Sequence, residues 1–197
     1  TPAEQEHLLA AYAGALGGRE IMKFVPASGA ASRMFKEWFT GLSAGGFPTE
    51  AAGDAFLRDL GRYAFSSDLE AVLASQGLAI DDLLASREVE TLLRFILTER
   101  GLNYGQLPKA LLKFHAYPEG ARTALEEHLV EAALYARDAG GCSRLHVTLS
   151  GEHEQGVREC LSRVKSRYEG ACGTAFEIAI SLQERATNTL AVDRECR

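Results

Sequence analysis

Apolar positions along this chain switch between two spacings, and the switch marks out its elements. Val89, Leu92, Leu93, Ile96 and Leu97 recur at i, i+3 and i+4, the rhythm of one buried helix face. Leu145, Val147 and Leu149 instead alternate with polar residues, as do Phe176, Ile178, Ile180 and Leu182, which predicts two strands. Between them Val157, Cys160, Leu161, Val164 and Tyr168 return to helical spacing. Upstream, residues 3–16 predict a leading helix stopped by Gly17 and Gly18. Ile21 to Val25 then reads as a first strand, the small residues after Pro26 as a loop, and Arg33 to Phe39 as the next helix. Residues 41–53, rich in glycine and alanine, read as a flexible connection, and Ala55 to Leu97 as successive helices. Gly101 to Gly105 reads as a return to extended chain leading into a strand around Leu111 to Phe114. Thr123 with Glu126 has the capping-box spacing and opens a helix through about Arg137, with Leu125, Leu129, Ala132, Ala133 and Ala136 facing inward.

The predicted order is strand, helical insertion, strand, helix, strand, helix, strand. Strands separated by helices imply an α/β fold with a mainly parallel, Rossmann-like sheet covered on both faces, whose ligands sit beyond the carboxyl ends of the strands. The expected organisation is a leading helix over 1–20 and an α/β domain over 21–197, interrupted by an all-helical insertion over 41–103.

Composition narrows the class. At 197 residues and ~150 per domain, one decorated domain is expected. The 46% apolar and 24% charged content is ordinary for a globular chain, which excludes disordered and fibrous classes. No apolar run approaches the ~20 residues of a membrane span, and the first residues lack a signal-peptide layout. Cys142, Cys160, Cys172 and Cys196 form no CxxC pair or zinc spacing and read as reduced thiols. A cytoplasmic protein is expected, with no membrane partner.

Charge adds a location. The net charge of -6 argues against a nucleic-acid partner, whose phosphates need a basic face. Yet residues 21–36 hold Lys23, Arg33 and Lys36 with no acid, and residues 100–118 hold Arg100, Lys109 and Lys113 with no acid. Positive charge focused into two short windows of an acidic chain suits a small anionic ligand. It equally suits basic windows that pair with the acidic segment 37–99, which has 11 acids and 4 bases. The loop from Ser28 to Arg33 combines small side chains, which let a backbone approach a ligand closely, with N–H groups delivered at a helix start. Arg33 offers a fixed cationic fork there, and Lys109, after Pro108, a point charge. The histidines at 115, 128, 146 and 153 show no metal-ligand spacing and read as structural.

Residues 27–34, Ala-Ser-Gly-Ala-Ala-Ser-Arg-Met after a first strand, resemble the A-G-x-G-T-R-M signature of sugar nucleotidyltransferases, and Leu107-Pro108-Lys109 resembles their L-P-K. Residues 122–133 are similar to the helix after that family's second segment, and Gln183 with Asn188-Thr189 resembles its Q-x-x-x-x-G-T. The strings at 23–36 and 107–115 look most specifically like the family called domain of unknown function 4301, whose members are much longer. This resemblance implies the nucleotide-diphospho-sugar transferase fold type and the amino-terminal part of a nucleotidyltransferase-like protein. Its substrates would be a nucleoside triphosphate and a small phosphorylated, sugar-phosphate-like acceptor, with pyrophosphate released. It also implies that Arg33 and Lys109 neutralise the triphosphate, that Ala27, Ser28, Gly29, Ala30, Ala31 and Ser32 line the nucleotide, and that Gln183, Asn188 and Thr189 meet the base. Mg²⁺ would be the cofactor, its ligands expected past Arg197. Ala31 and Asn188 stand where the signature has glycine. A non-catalytic nucleotide-binding or scaffold module of the same fold is the alternative.

Overall fold

The computed structural model describes residues 1–29 and 31–184. The chain divides into two compact units, one formed by Thr1–Ser28 and Leu129 onward, the other by Gly29–His128. Ala30, Asn188, Thr189 and Cys196 lie outside the described residues.

The first unit opens with helix α1 (Pro2–Ala15), started by a capping box in which Thr1 and Glu4 satisfy each other's backbone N–H groups. None of its residues is buried, and it is tied down by the Tyr12 hydroxyl donating to the Tyr135 carbonyl at 3.0 Å. Strands β1 (Met22–Pro26), β4 (Cys142–Leu149) and β5 (Ala175–Leu182) form a parallel sheet in the order β1-β4-β5. The register pairs Phe24 with His146 and His146 with Ala179. Alternation puts Val25, Leu145, Val147, Leu149 and Phe176 on one face, all buried. Helix α7 (Ala124–Tyr135) supplies buried Leu129 and Ala132 from its second half, and α8 (Glu154–Cys172) supplies Val157, Cys160, Leu161, Val164 and Tyr168. Ser143, fully enclosed, donates to the Ala132 carbonyl, and the Phe176 N–H donates to Glu169, which ties strands to helices.

The other face carries Met22 and Phe24, 55% and 62% exposed, so the expected cover on both faces is seen on one only among the described residues. Arg144 on that face ion-pairs with Asp138 and with Glu177 on β5. The Cys142 N–H donates to Asp138 at 2.9 Å and Arg144 approaches its second oxygen; together they hold the Asp138 carboxyl below its ordinary 3.8. Because the folded value is the lower one, this stabilisation is complete above about pH 4 and is lost as pH falls through the folded value. Asp138→Asn is therefore expected to melt below wild type at about pH 6, with the gap closing as pH falls below the ordinary carboxylate range. A gap independent of pH in thermal denaturation would contradict the linkage.

The second unit is mostly helical: α2 (Lys36–Ala44), α3 (Glu50–Asp59), α4 (Ser66–Ser75), α5 (Ile80–Ala85) and α6 (Val89–Leu97) precede a hairpin of β2 (Lys113–Tyr117) and β3 (Gly120–Thr123). The segment 41–53 is less loose than its composition suggests. Gly45, at φ +75°, ends α2, and the Thr49 hydroxyl accepts the Ala52 N–H to start α3, so glycine and threonine act here as helix punctuation. Leu92, Leu93, Phe95, Ile96 and Leu97 of α6 are buried with Leu60, Leu69 and Leu73 in one core. Ala31 and Phe35, from the loop after β1, join it.

Two expectations are corrected here. Residues 101–105 are turns, and β2 pairs antiparallel with β3 instead of joining the parallel sheet. The turn Pro118-Glu119-Gly120, with Gly120 at φ +126°, folds the chain back within reach of β2, so the local partner wins over a distant one. Thr123 and Glu126 form the capping box read from their spacing, and Glu126 is buried by it.

Candidate functional site

In the first unit, the Ala27 N–H donates to the Thr148 carbonyl at 2.9 Å, carrying the pairing of β1 one residue past its end. Ala27 is buried and Ser28 half-buried. Gln183, at the carboxyl end of β5, is exposed, and its backbone N–H donates to the Leu149 carbonyl at 2.6 Å.

In the second unit, the two segments singled out from the sequence meet. The Lys109 N–H donates to the Gly29 carbonyl at 3.0 Å. Buried Pro108, in extended conformation at φ −67° and ψ 151°, sets up this approach, and a short 3-10 turn over Lys109–Leu111 follows. The Lys109 side chain stays exposed. On the partner segment, the Met34 N–H donates to the Ala31 carbonyl at 2.8 Å, making a turn that leaves Ser32 and Arg33 exposed before α2 begins. Helix α2 thus starts later than its apolar pattern predicts, at Lys36, and no side chain caps it. Ala31 is 1% exposed and belongs, backbone included, to the helical core, its carbonyl taken by the Met34 N–H.

The six cations of the two acid-free windows separate into two groups. Lys23 pairs with Glu131, Lys113 pairs with Asp68, and Arg100 lies over the Phe95 ring. Arg33, Lys36 and Lys109 have no ion-pair partner among the described residues. Lys113 therefore fits the expectation that the basic windows pair with the acidic insertion, whereas the three cations flanking the Gly29 loop do not. Lys36, one helical turn after Arg33, is the residue that motif spacing did not single out; its place in the acid-free window was the available signal.

Gly29 has no packing reason to be glycine. A Cβ built there meets nothing within 4 Å, and its φ lies outside the left-handed region. Gly29→Ala is expected to leave the melting temperature nearly unchanged, within about 0.5 kcal/mol of stability. If the loop cradles an anion, the same change weakens inorganic triphosphate binding in calorimetry. Equal loss of stability and binding would mark the glycine as structural.

Other polar groups have structural partners. The His146 ring lies 2.8 Å from the Ser181 hydroxyl and beside Phe24, His115 pairs with Glu127, and Asp81 and Asp82 lie in the first turn of α5. No three His, Cys, Asp or Glu side chains cluster to hold a metal among the described residues. No described helix is long and apolar enough to cross a membrane.

The decisive comparison is with family models. The chain belongs to the domain of unknown function 4301 family (DUF4301). That family's model matches residues 1–197, covering both motif segments and both units. No curated protein and no solved structure matches this DUF4301 chain.

Proposed function

We propose that this DUF4301 chain binds the phosphates of a nucleoside triphosphate and serves as the nucleotide-binding part of a nucleotidyltransferase-like protein. The observation that carries the reading is the backbone hydrogen bond from Lys109 to Gly29, which joins two segments that both resemble nucleotidyltransferase signatures. Arg33, Lys36 and Lys109, carried on the two segments that the bond joins and without an ion-pair partner among the described residues, support it, since phosphates need cations not already spent on carboxylates.

In the reaction, an oxygen of the acceptor's phosphate, as on a sugar phosphate, attacks the α-phosphorus in line. The new P–O bond forms as the bond to the β-phosphate oxygen breaks, and pyrophosphate leaves with that electron pair. Little acid–base chemistry is required of the protein; positioning and charge neutralisation dominate. Arg33 provides a bidentate fork, Lys109 and Lys36 point charges, and the loop backbone N–H donors.

The test pairs triphosphate titration with exchange. An active protein supplied with a nucleoside-diphosphate sugar moves label from pyrophosphate into triphosphate. Binding without exchange assigns the chain to the non-catalytic module, and absence of triphosphate binding rejects both.

A further inference from the structure

Within the helical unit, the continuations of the two motif segments enclose a cavity of about 320 Å³. Met34, Phe35 and Trp38 follow Arg33, and Leu112, Lys113 and Phe114 follow Lys109; the turn around Tyr63 and Tyr104 close the remainder. Its wall is a run of ring contacts. Trp38 meets Tyr63 edge to face at 5.4 Å, Tyr63 stacks on Phe65 at 5.2 Å and 5°, and Phe65 meets Tyr104 edge to face at 5.1 Å. Met34 and Phe114 at the cavity remain 46% and 39% exposed.

Charge does not select what enters. Of the cations lining it, Arg62 pairs at 3.2 Å with Asp59, a carboxylate it shares with Arg58, and Lys113 pairs with Asp68 at 2.6 Å, so each already has a carboxylate partner. Hydrogen-bond donors remain. The Trp38 indole N–H and the Tyr63 hydroxyl have no partner among the described residues. The Tyr104 hydroxyl accepts from the Lys113 N–H at 3.4 Å, which leaves its own proton to donate. A mainly apolar cavity with a few polar groups is the usual form of a small-molecule site, and this volume, near the lower end of the ~300–1,000 Å³ range, admits about one ring system.

We infer that this cavity is a binding site for an uncharged, planar aromatic molecule carrying a carbonyl or ring-nitrogen acceptor. Aromatic walls reward a flat ring beyond its buried area, and the unpartnered donors reward an acceptor on it. The site does not depend on the triphosphate reading, so failure of triphosphate binding leaves it standing.

Trp38 is the sole tryptophan, so a ¹⁵N-labelled full chain gives one indole N–H resonance, and that resonance reports on the cavity. Benzamide is the probe and cyclohexanecarboxamide its saturated control, identical in acceptor but not flat. Benzamide is expected to move the Trp38 resonance saturably with a midpoint on the order of millimolar, and at least roughly threefold below that of the control. Phe114→Ala, a change at an exposed position, raises the benzamide midpoint while the rest of the spectrum stays dispersed. A Trp38 resonance unmoved by benzamide, an equal response to the saturated control, or a midpoint unchanged in Phe114→Ala overturns the assignment.

Discussion

Alanine in place of Arg33 is expected to weaken nucleoside triphosphate binding roughly 10- to 150-fold, the equivalent of about 1.5–3 kcal/mol for lost charge-assisted hydrogen bonds. The side chain is exposed and has no ion-pair partner among the described residues, so its removal strands no buried charge and opens no cavity. The folded chain should therefore melt as wild type does, which separates a binding effect from a structural one. Arg33→Lys keeps the charge but loses the bidentate fork, and should recover only part of the affinity. Calorimetric titration of the three proteins at one fixed ionic strength checks this, because screened phosphate contacts weaken as salt rises. An Arg33→Ala protein with wild-type affinity would remove Arg33 from the site and, with it, the strongest cation of the reading.

The largest stability effect is expected at a residue with no part in that chemistry. Gly101 follows α6, and a Cβ there would lie 2.0 Å from the Phe95 carbonyl oxygen, 2.7 Å from its carbon and 2.9 Å from its Cα. These are backbone atoms of a residue only 1% exposed, and the same carbonyl already accepts the Leu102 N–H at 2.7 Å. No rotamer change relieves such a clash, so either the turn or the end of α6 must move. Gly101→Ala should cost about 3 kcal/mol or more, the upper end of overpacking penalties, and lower the melting temperature by roughly 6–12 °C. A thermal scan within about 2 °C of wild type would show that the turn relaxes freely, contrary to the close approach described. Gly29→Ala is the natural comparator: its Cβ meets nothing, so two glycine-to-alanine changes in one unit should differ in stability by most of that amount.

Local pattern was most legible where one element buries one face. In β4 every second residue from Ser143 to Leu149 is buried, as its alternation implies, and α6 buries Leu92, Leu93, Ile96 and Leu97 of the residues its helical spacing marks, with Val89 half-buried. The Thr123–Glu126 box was readable because both of its hydrogen bonds close within four residues. Pattern was least legible where the partner is chosen at a distance. The extended run read around Leu111 to Phe114 carries the same local signal whether it joins a parallel sheet or, as the strand Lys113–Tyr117, turns back into a hairpin. The apolar alternation of β5 is incompletely used: Phe176 is buried, but Leu182 is 48% exposed. The aromatic cavity was invisible for the same reason, since Trp38, Tyr63 and Tyr104 lie in separate segments and only the folded helices bring their rings together.

Sequence alone determined that the chain alternates strands and helices around an acidic helical segment, and that its cations gather in two acid-free windows, because propensity, capping and periodicity are set by neighbours a few residues away. Tertiary structure decided which of those cations are available. Lys113 meets Asp68 and Lys23 meets Glu131 only in the folded chain, whereas Arg33, Lys36 and Lys109 meet no described carboxylate. Pairing depends on distances of a few ångströms between residues far apart in sequence, so no reading of composition could have sorted the spent charges from the free ones. The same holds for Lys109 and Gly29, whose single backbone hydrogen bond turns two separated motifs into one loop pair.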